Sequence, residues 1–444
     1  MSLVSCFLTE LPQEIISKTE NKTVFLNTKF ELIPLKLEYF IAKRLITTKE
    51  YKSSISAPII KIAITAVALG MIMMIVSVST GIGLQQKIRQ KVSAFNGHIL
   101  ISSYNDNQSD VSTKPISIHQ DFYPKFKSVE GISHVQAVAS KAGMIRSESA
   151  VEGIIFKGIG KDYQFDNLKE YLVEGRLPNL KSSLNEEIII SQYLTDRLGL
   201  KLGDKFITYF MKEDSEGYNL RNFKIVGIYN SGFQEFDSSF VIGDIRHIQR
   251  INKWKPNEIG SFEIFVDDFS KIDEKGQEVY DETSSTLDSK TIVEKYYYIF
   301  EWLKLFDFNI IVILVVMIAV SIINMVVALL ILILERTQMI GILKSLGANN
   351  WSIRKIFLYN AFYLILRGLF YGNLIAFAFL LGQKYFGFVK LNPESYYVNQ
   401  VPVDINFLHV MLLNLSTIII TVVVLLVPTY LITKITPSKS IRFD

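Results

Sequence analysis

Four stretches of this chain carry almost no charge over a length that suits a lipid bilayer, and they leave few folds open. Residues 62–86 and 308–334 contain no Asp, Glu, Lys or Arg; residues 356–383 contain one, Arg367. A fourth apolar run lies between Asp404 and Lys434, with His409 near its start and Pro428 near its end. Each can cross the ~30 Å hydrocarbon layer as a helix, which takes roughly 20 residues. The mean hydropathy of +0.26 comes from these blocks and not from an even spread. The expected fold is a membrane protein of four transmembrane α-helices, with a large α+β extracytoplasmic domain inserted between helices 1 and 2.

The pattern divides the chain further. Residues 1–34 read as a polar tail, and residues 35–56 as an interfacial amphipathic helix. In the latter, Leu37, Phe40, Ile41 and Leu45 lie near one another, flanked by Lys36, Lys43, Arg44, Lys49 and Lys52. The first span is expected at 57–83, with Pro58 in its opening turn. The α+β domain follows at 84–305, the second span at 306–334 and a short amphipathic helix at 335–350. The third span at 351–383, a loop at 384–404, the fourth span at 405–433 and a tail at 434–444 complete the chain. Inside the domain, 98–102, 187–190, 206–211, 223–229 and 262–266 read as strands. Residues 192–198, 244–251 and 272–283 read as helices. Residues 291–308 read as one helix running straight into the second span, with Tyr296, Tyr297, Tyr298, Trp302 and Phe306 at the interface.

Lys and Arg flank the first span before Lys61, fill the 335–355 stretch and close the chain, whereas the 384–404 loop carries only Lys384 and Lys390. The positive-inside rule therefore places both termini and residues 335–347 in the cytoplasm and the large domain outside. Balanced charge, 47 basic against 43 acidic residues, argues against a nucleic-acid grip. A single cysteine, Cys6, rules out an intrachain disulfide framework or a Cys-based metal site. No enzyme signature is present. Gly158-Ile159-Gly160-Lys161 lacks the spacing of a phosphate-binding loop, and the five histidines are scattered without a metal-binding pattern. No metal and no cofactor are expected.

The candidate functional residues lie elsewhere. In 335–347 (ERTQMIGILKSLG), Met339, Ile340, Leu343 and Leu346 share one helical face, with Arg336, Gln338 and Lys344 away from it. Gly347 is placed to end this helix in a left-handed cap, and Asn349 or Asn350 to cap the next. Such a helix reads as an interfacial turn or as a docking knob for a partner. Asn324 lies mid-span, where amides bridge helices for about 1 kcal/mol. Arg367 is expected to face the bundle interior or to snorkel toward the cytoplasm, and Gly368 with Gly372 to admit a neighbouring helix. Met71, Met73 and Met74 read as cavity lining or as ordinary packing.

The motif 335–347, with Ala348 and 353–357, resembles the segment after the second span of ABC-transporter permeases of the macrolide-exporter type. The span order matches that superfamily end to end. Residues 39–50, 60–88, Asn96-Gly97-His98-Ile99 and Pro437-Ser438-Lys439-Ser440-Ile441-Arg442 are similar to the lipoprotein-releasing (Lol) permeases. The resemblance implies an inner-membrane protein paired with a second permease copy or a sister permease. A separate cytoplasmic ATPase would grip 335–347 through Met339, Ile340, Leu343 and Leu346, with Arg336 and Lys344 at the rim and Gly347 closing the helix. It implies an acyl-chain cavity at Met71, Met74 and Met317, a lipoprotein substrate, and contact with membrane lipid. A hairpin at 212–222, with Lys212, Glu216, Gly217, Tyr218, Asn219 and Arg221, would hook a periplasmic lipoprotein carrier. The alternatives are a permease that mechanically activates a cell-wall hydrolase and an efflux permease of a tripartite pump.

Overall fold

The computed structural model describes residues 37–47, 56–106, 109–147, 150–180, 184–212 and 217–435. The expected tail 1–34 and nearly all of 434–444 lie outside the described residues. The chain divides into two units. One holds the described residues up to Met71, Met317–Asn373 and those from Leu412 onward; the other holds Ile72–Val316 and Leu374–Met411.

Among the described residues, the longer helices of the membrane part are α1 Leu37–Thr47, α2 Ser56–Asn96, α3 Tyr297–Glu335, α4 Thr337–Ser345, α5 Asn350–Phe386 and α6 Phe407–Leu425. Helices α2, α3, α5 and the stretch Phe407–Lys434 are long and apolar enough to cross a membrane. With 41 and 39 residues, α2 and α3 are each about 60 Å long. That is twice the hydrocarbon thickness, so both run well past the expected spans.

Within the first unit, small residues set the helix contacts. A Cβ on Gly368 would meet Val67 Cβ at 2.7 Å, and one on Gly372 would meet Met71 Cβ at 2.8 Å. Helices α2 and α5 therefore pack backbone to backbone, as the small-xxx-small spacing predicts. On the other side of α2, a Cβ on Gly70 would lie 2.6 Å from Ser321 Oγ of α3. Helix α1 lies against α5 through Tyr39 edge-on to Tyr359, 5.9 Å between centroids, and Glu38 at 3.8 Å from Lys355.

The second unit is built on a ten-stranded mixed sheet. Its strands are β1 Ile99–Ser103, β2 Ile132–Arg146, β3 Val151–Ile159, β4 Leu172–Gly175, β5 Glu187–Ser191, β6 Lys205–Met211, β7 Tyr218–Tyr229, β8 Phe240–Asp244, β9 Ser261–Val266 and β10 Leu287–Thr291. The order is β10-β1-β9-β2-β3-β8-β5-β7-β4, with β6 pairing β2 and β7. Pairs β3–β8 and β5–β7 are parallel and the rest antiparallel. One apolar core contains Phe156, Phe210, Phe223 and Phe262; the other contains Phe95 from the end of α2, Tyr229, Phe236, and Phe300 and Leu303 from α3. This second core is why α2 continues past Gln86: Phe95 is fully buried, stacked on Phe236 at 5.1 Å.

Lys157, 2% exposed, anchors that junction by donating to Glu263 and to the carbonyl of Phe95, while Gln136 Nε2 donates to Glu263 at 2.8 Å. A cation on the last carbonyls of α2 also complements the helix dipole. The single helix expected over 291–308 is broken in two. Thr291 ends β10 and caps a turn at Ile292–Lys295 with a reciprocal capping box, and Tyr296 leaves helical geometry (ψ 43°) before α3 begins. The Tyr296 hydroxyl donates to Asn96 Oδ1 at 2.9 Å. The 384–404 loop is also tied down: Tyr397 stacks on Phe233 at 4.5 Å and its carbonyl accepts from Lys91 Nζ at 2.8 Å.

Candidate functional site

Helix α4 follows α3 after one non-helical residue, Arg336 (φ −100°, ψ 23°). Its end is a Schellman motif. Gly347 takes φ +88°, its N–H donates to the Lys344 carbonyl at 3.0 Å, and the Ala348 N–H donates to that of Leu343 at 2.9 Å. Asn349 Oδ1 then accepts from the Ser352 N–H at 2.7 Å, capping α5. The local signals for stop and start are thus both realised.

The exposed face differs from the expected one. Ile340 is fully buried, Met339, Leu343 and Arg336 are half-buried, and the apolar side chains facing outward are Ile342 (46% exposed) and Leu346 (78%). Gln338 and Ser345 share that face. Ile340 therefore belongs to this chain's own packing and cannot offer an external contact. Lys344 is not a rim residue either. Its ammonium donates to the carbonyls of Ile432 at 2.7 Å, Thr433 at 3.4 Å and Ile435 at 2.6 Å, at the end of the last helical turn. Arg354 adds a second tie, donating to the Thr429 carbonyl at 3.2 Å with its guanidinium over the Tyr430 ring. Helix α4 is tied to the last helical turn while one of its faces stays exposed.

The intramembrane polar residues also fall out differently. Among the described residues Asn324 bridges no helices; its amide donates back to the Val320 carbonyl of its own turn at 2.8 Å. An interhelical amide pair is instead formed by Asn373 and Asn414, which exchange hydrogen bonds of 2.8 and 3.0 Å between α5 and α6. Two asparagines on separate helices gave no sequence signal of meeting. Arg367 faces outward rather than into the bundle, its guanidinium 4.5 Å from the centroid of Tyr363 one turn nearer the expected cytoplasmic end. Met71 and Met74 have no exposed surface and Met317 is half-buried, so the first two are packed against protein and do not line an open space. Met73 is the exposed methionine of that turn, at 43%.

In the second unit, β6 and β7 form a hairpin with Met211 opposite Tyr218. The loop is shorter than expected because Tyr218, Asn219 and Arg221 belong to β7; their backbones pair with β6, which overrides the polar composition of that stretch. Lys212 and Gly217 flank the turn, with the Lys212 N–H donating to the Gly217 carbonyl at 3.2 Å, and Glu216 lies outside the described residues. Phe206, Phe210 and Phe223 point inward, while Ile207, Met211, Tyr218 and Leu220 face water, each 44–72% exposed. Among the described residues no group of three His, Cys, Asp or Glu could hold a metal ion.

Residues 62–274 match the family model described as a MacB-like periplasmic core domain, and residues 311–437 the one described as an FtsX-like permease C-terminal part. The chain is 22% identical to the lipoprotein-releasing system transmembrane protein LolC of Buchnera aphidicola subsp. Schizaphis graminum (strain Sg), over 86% of this chain and 92% of that protein. It is 20% identical to the LolE protein of Haemophilus influenzae, over 90% and 98% respectively. An uncharacterized membrane protein of the same Buchnera is 26% identical over 91% of this chain and 99% of its own length. Among solved structures, the extracellular domain of the ABC-type transporter YknZ from Gram-positive bacteria aligns at 17% identity and a TM-score of 0.31, covering 44% of this chain and 99% of that one. A match to a MacB-like periplasmic core domain followed by one to an FtsX-like permease C-terminal part, with similarity to lipoprotein-releasing permeases along nearly the whole chain, supports the function of an ABC permease.

Proposed function

We propose that the chain is the permease subunit of a transporter that extracts lipoproteins from the outer leaflet of the bacterial inner membrane for delivery to the outer membrane. The carrying observation is helix α4, tied by Lys344 to the chain's C-terminal turn yet presenting Ile342 and Leu346 outward. A helix so tied, with a small exposed apolar face, suits a cleft in a separate cytoplasmic ATPase, which hydrolyses the ATP. Met339, Leu343 and Arg336 border that contact, and Gly347 fixes where the helix ends. The names of the LolC and LolE relatives supply the substrate class. Both termini lie in the cytoplasm, and the chain works beside a second copy or a sister permease. Lipid-facing side chains of α2 and α3, with Met73, border the acyl chains. The outer face of the β6–β7 hairpin receives the periplasmic carrier.

Depleting the protein and fractionating the two membranes tests this reading. Lipoproteins destined for the outer membrane should accumulate in the inner membrane, and unchanged sorting would overturn it. The close approach of α2 to α3 at Gly70 favours a second reading, a mechanical transmitter that activates a periplasmic cell-wall hydrolase and transports nothing. Depletion would then leave lipoprotein sorting intact and change cell-wall cleavage instead.

A further inference from the structure

Where α2 and α3 leave the apolar layer, they line a half-open cavity of about 300 Å³ with the residues that follow β9. Its level is fixed by Gln85, whose Nε2 donates to Asp307 Oδ1 at 2.8 Å and to the Leu303 carbonyl at 3.2 Å. These contacts sit where the two charge-free segments end. Arg89 is one turn farther along α2, about 6 Å beyond Gln85. The headgroup layer is of that thickness on each side of the hydrocarbon.

Arg89 lines this cavity, where the Asp307 carboxylate acts on it through space without a hydrogen bond or ion pair among the described residues. Its Nε is buried without a hydrogen-bond partner, and its guanidinium forms no ion pair among the described residues, lying 5.3 Å from the ring centroid of Phe269. A buried guanidinium donor left unsatisfied is costly, so the site calls for an acceptor from outside the chain. A simple anion does not suit the rest of the lining. Asp273, Glu294, Glu301 and Asp307 also face the cavity, against only one further cation, Lys304. Three of those carboxylates are occupied: Asp307 by Gln85, Glu294 by the Thr291 cap, Glu301 by Lys304 at 2.6 Å. Asp273, in the exposed first turn of Ile272–Glu282, makes no hydrogen bond or ion pair among the described residues and meets the Lys304 charge only through space. Phe300 and Leu303 form an apolar wall, and Tyr297 stands exposed at the mouth, as an interfacial aromatic does.

We propose that this cavity binds the headgroup of a zwitterionic phospholipid, with the phosphate on Arg89 and the amine on Asp273. A guanidinium whose Nε lacks an acceptor and a carboxylate without a hydrogen-bond partner, in one cavity at headgroup depth, match both charges of such a lipid. An anionic lipid would meet the carboxylates with no amine to offset them. Bound there, the lipid would sit between the two long helices at the level where they enter the inserted domain.

The test uses the full chain purified in detergent, titrated with phosphatidylethanolamine or phosphatidylglycerol and read by native mass spectrometry. The wild type should retain phosphatidylethanolamine at least fivefold better than phosphatidylglycerol. Arg89→Gln should lower phosphatidylethanolamine retention at least fivefold, and Arg89→Lys should restore part of it. Asp273→Asn, on an exposed turn where folding is not at stake, should shift the preference toward phosphatidylglycerol. Water-soluble phosphoethanolamine at millimolar concentration should not displace the lipid. Equal retention of both lipids by the wild type, no change with either Arg89→Gln or Asp273→Asn, or displacement by soluble phosphoethanolamine would each overturn the proposal.

Discussion

His98 shows how far one residue's environment departs from what its letter suggests. In the sequence it is one of five scattered histidines; in the fold its Nδ1 accepts the Val266 N–H at 2.9 Å between the rings of Phe265 and Phe269. Burial pushes it down from the ordinary 6.5 to about 4. The fold therefore holds it neutral while an opened chain takes up a proton. The stabilisation is complete above pH 6.5, falls away as the pH drops from 6.5 to about 4, and changes no further below that. The whole effect is at most about 3 kcal/mol. Hydrogen exchange at the Val266 amide, corrected for the intrinsic pH dependence, should lose protection across that window. His98→Asn keeps the acceptor but not the titration, and should flatten the loss. An identical pH profile in the variant would rule His98 out as the cause.

At the scale of elements, the short helix α4 separates what a pattern can reveal from what only packing decides. Its end was legible because Gly347 is the residue that enters the left-handed region most cheaply. Its open face was not legible. Met339, Ile340, Ile342, Leu343 and Leu346 spread apolar surface around most of the helix, and only the bundle chooses Ile340 for burial. The strands obey the same logic. Strands β5, β6 and β9 are dense in β-branched and aromatic residues and were readable. Strand β2 was missed: Val135–Ala139 is buried throughout, so no polar alternation marks it, and Ala137, Ala139, Ala142 and Gly143 dilute its propensity. The redrawn face makes a sharp prediction. Leu346→Asp changes a side chain already in water, so the purified permease should melt as the wild type does, within about 0.5 kcal/mol. Against an ATPase the carboxylate would be buried unpaired, and complex recovery and ATPase stimulation should fall at least tenfold. Ile340→Asp should instead destabilise the permease itself. Normal stimulation by the Leu346 variant would remove this helix from the interface.

For the whole molecule, hydropathy made the four spans legible but not the reach of the helices that carry them. Lys87, Arg89 and Lys91 look like the end of a span, yet α2 continues to Asn96 because Phe95 finds a core in the inserted domain. That core is assembled from Tyr229, Phe236 and Phe300, remote from it in sequence, and no local window contains it. The side on which each part lies rests on the distribution of lysine and arginine, a statistical preference that acts through the short flanks and not through the large domain. Labelling can decide it. With Cys6 replaced by serine, single cysteines at Ser285 in the inserted domain and at Ser345 on α4, both exposed, report opposite faces of the membrane. Ser285→Cys should react with a membrane-impermeant maleimide in intact spheroplasts, and Ser345→Cys only after the membrane is opened. If Ser345→Cys reacts in closed spheroplasts, α4 cannot meet a cytoplasmic ATPase. If Ser285→Cys stays protected until lysis, the inserted domain cannot hand anything to a carrier outside.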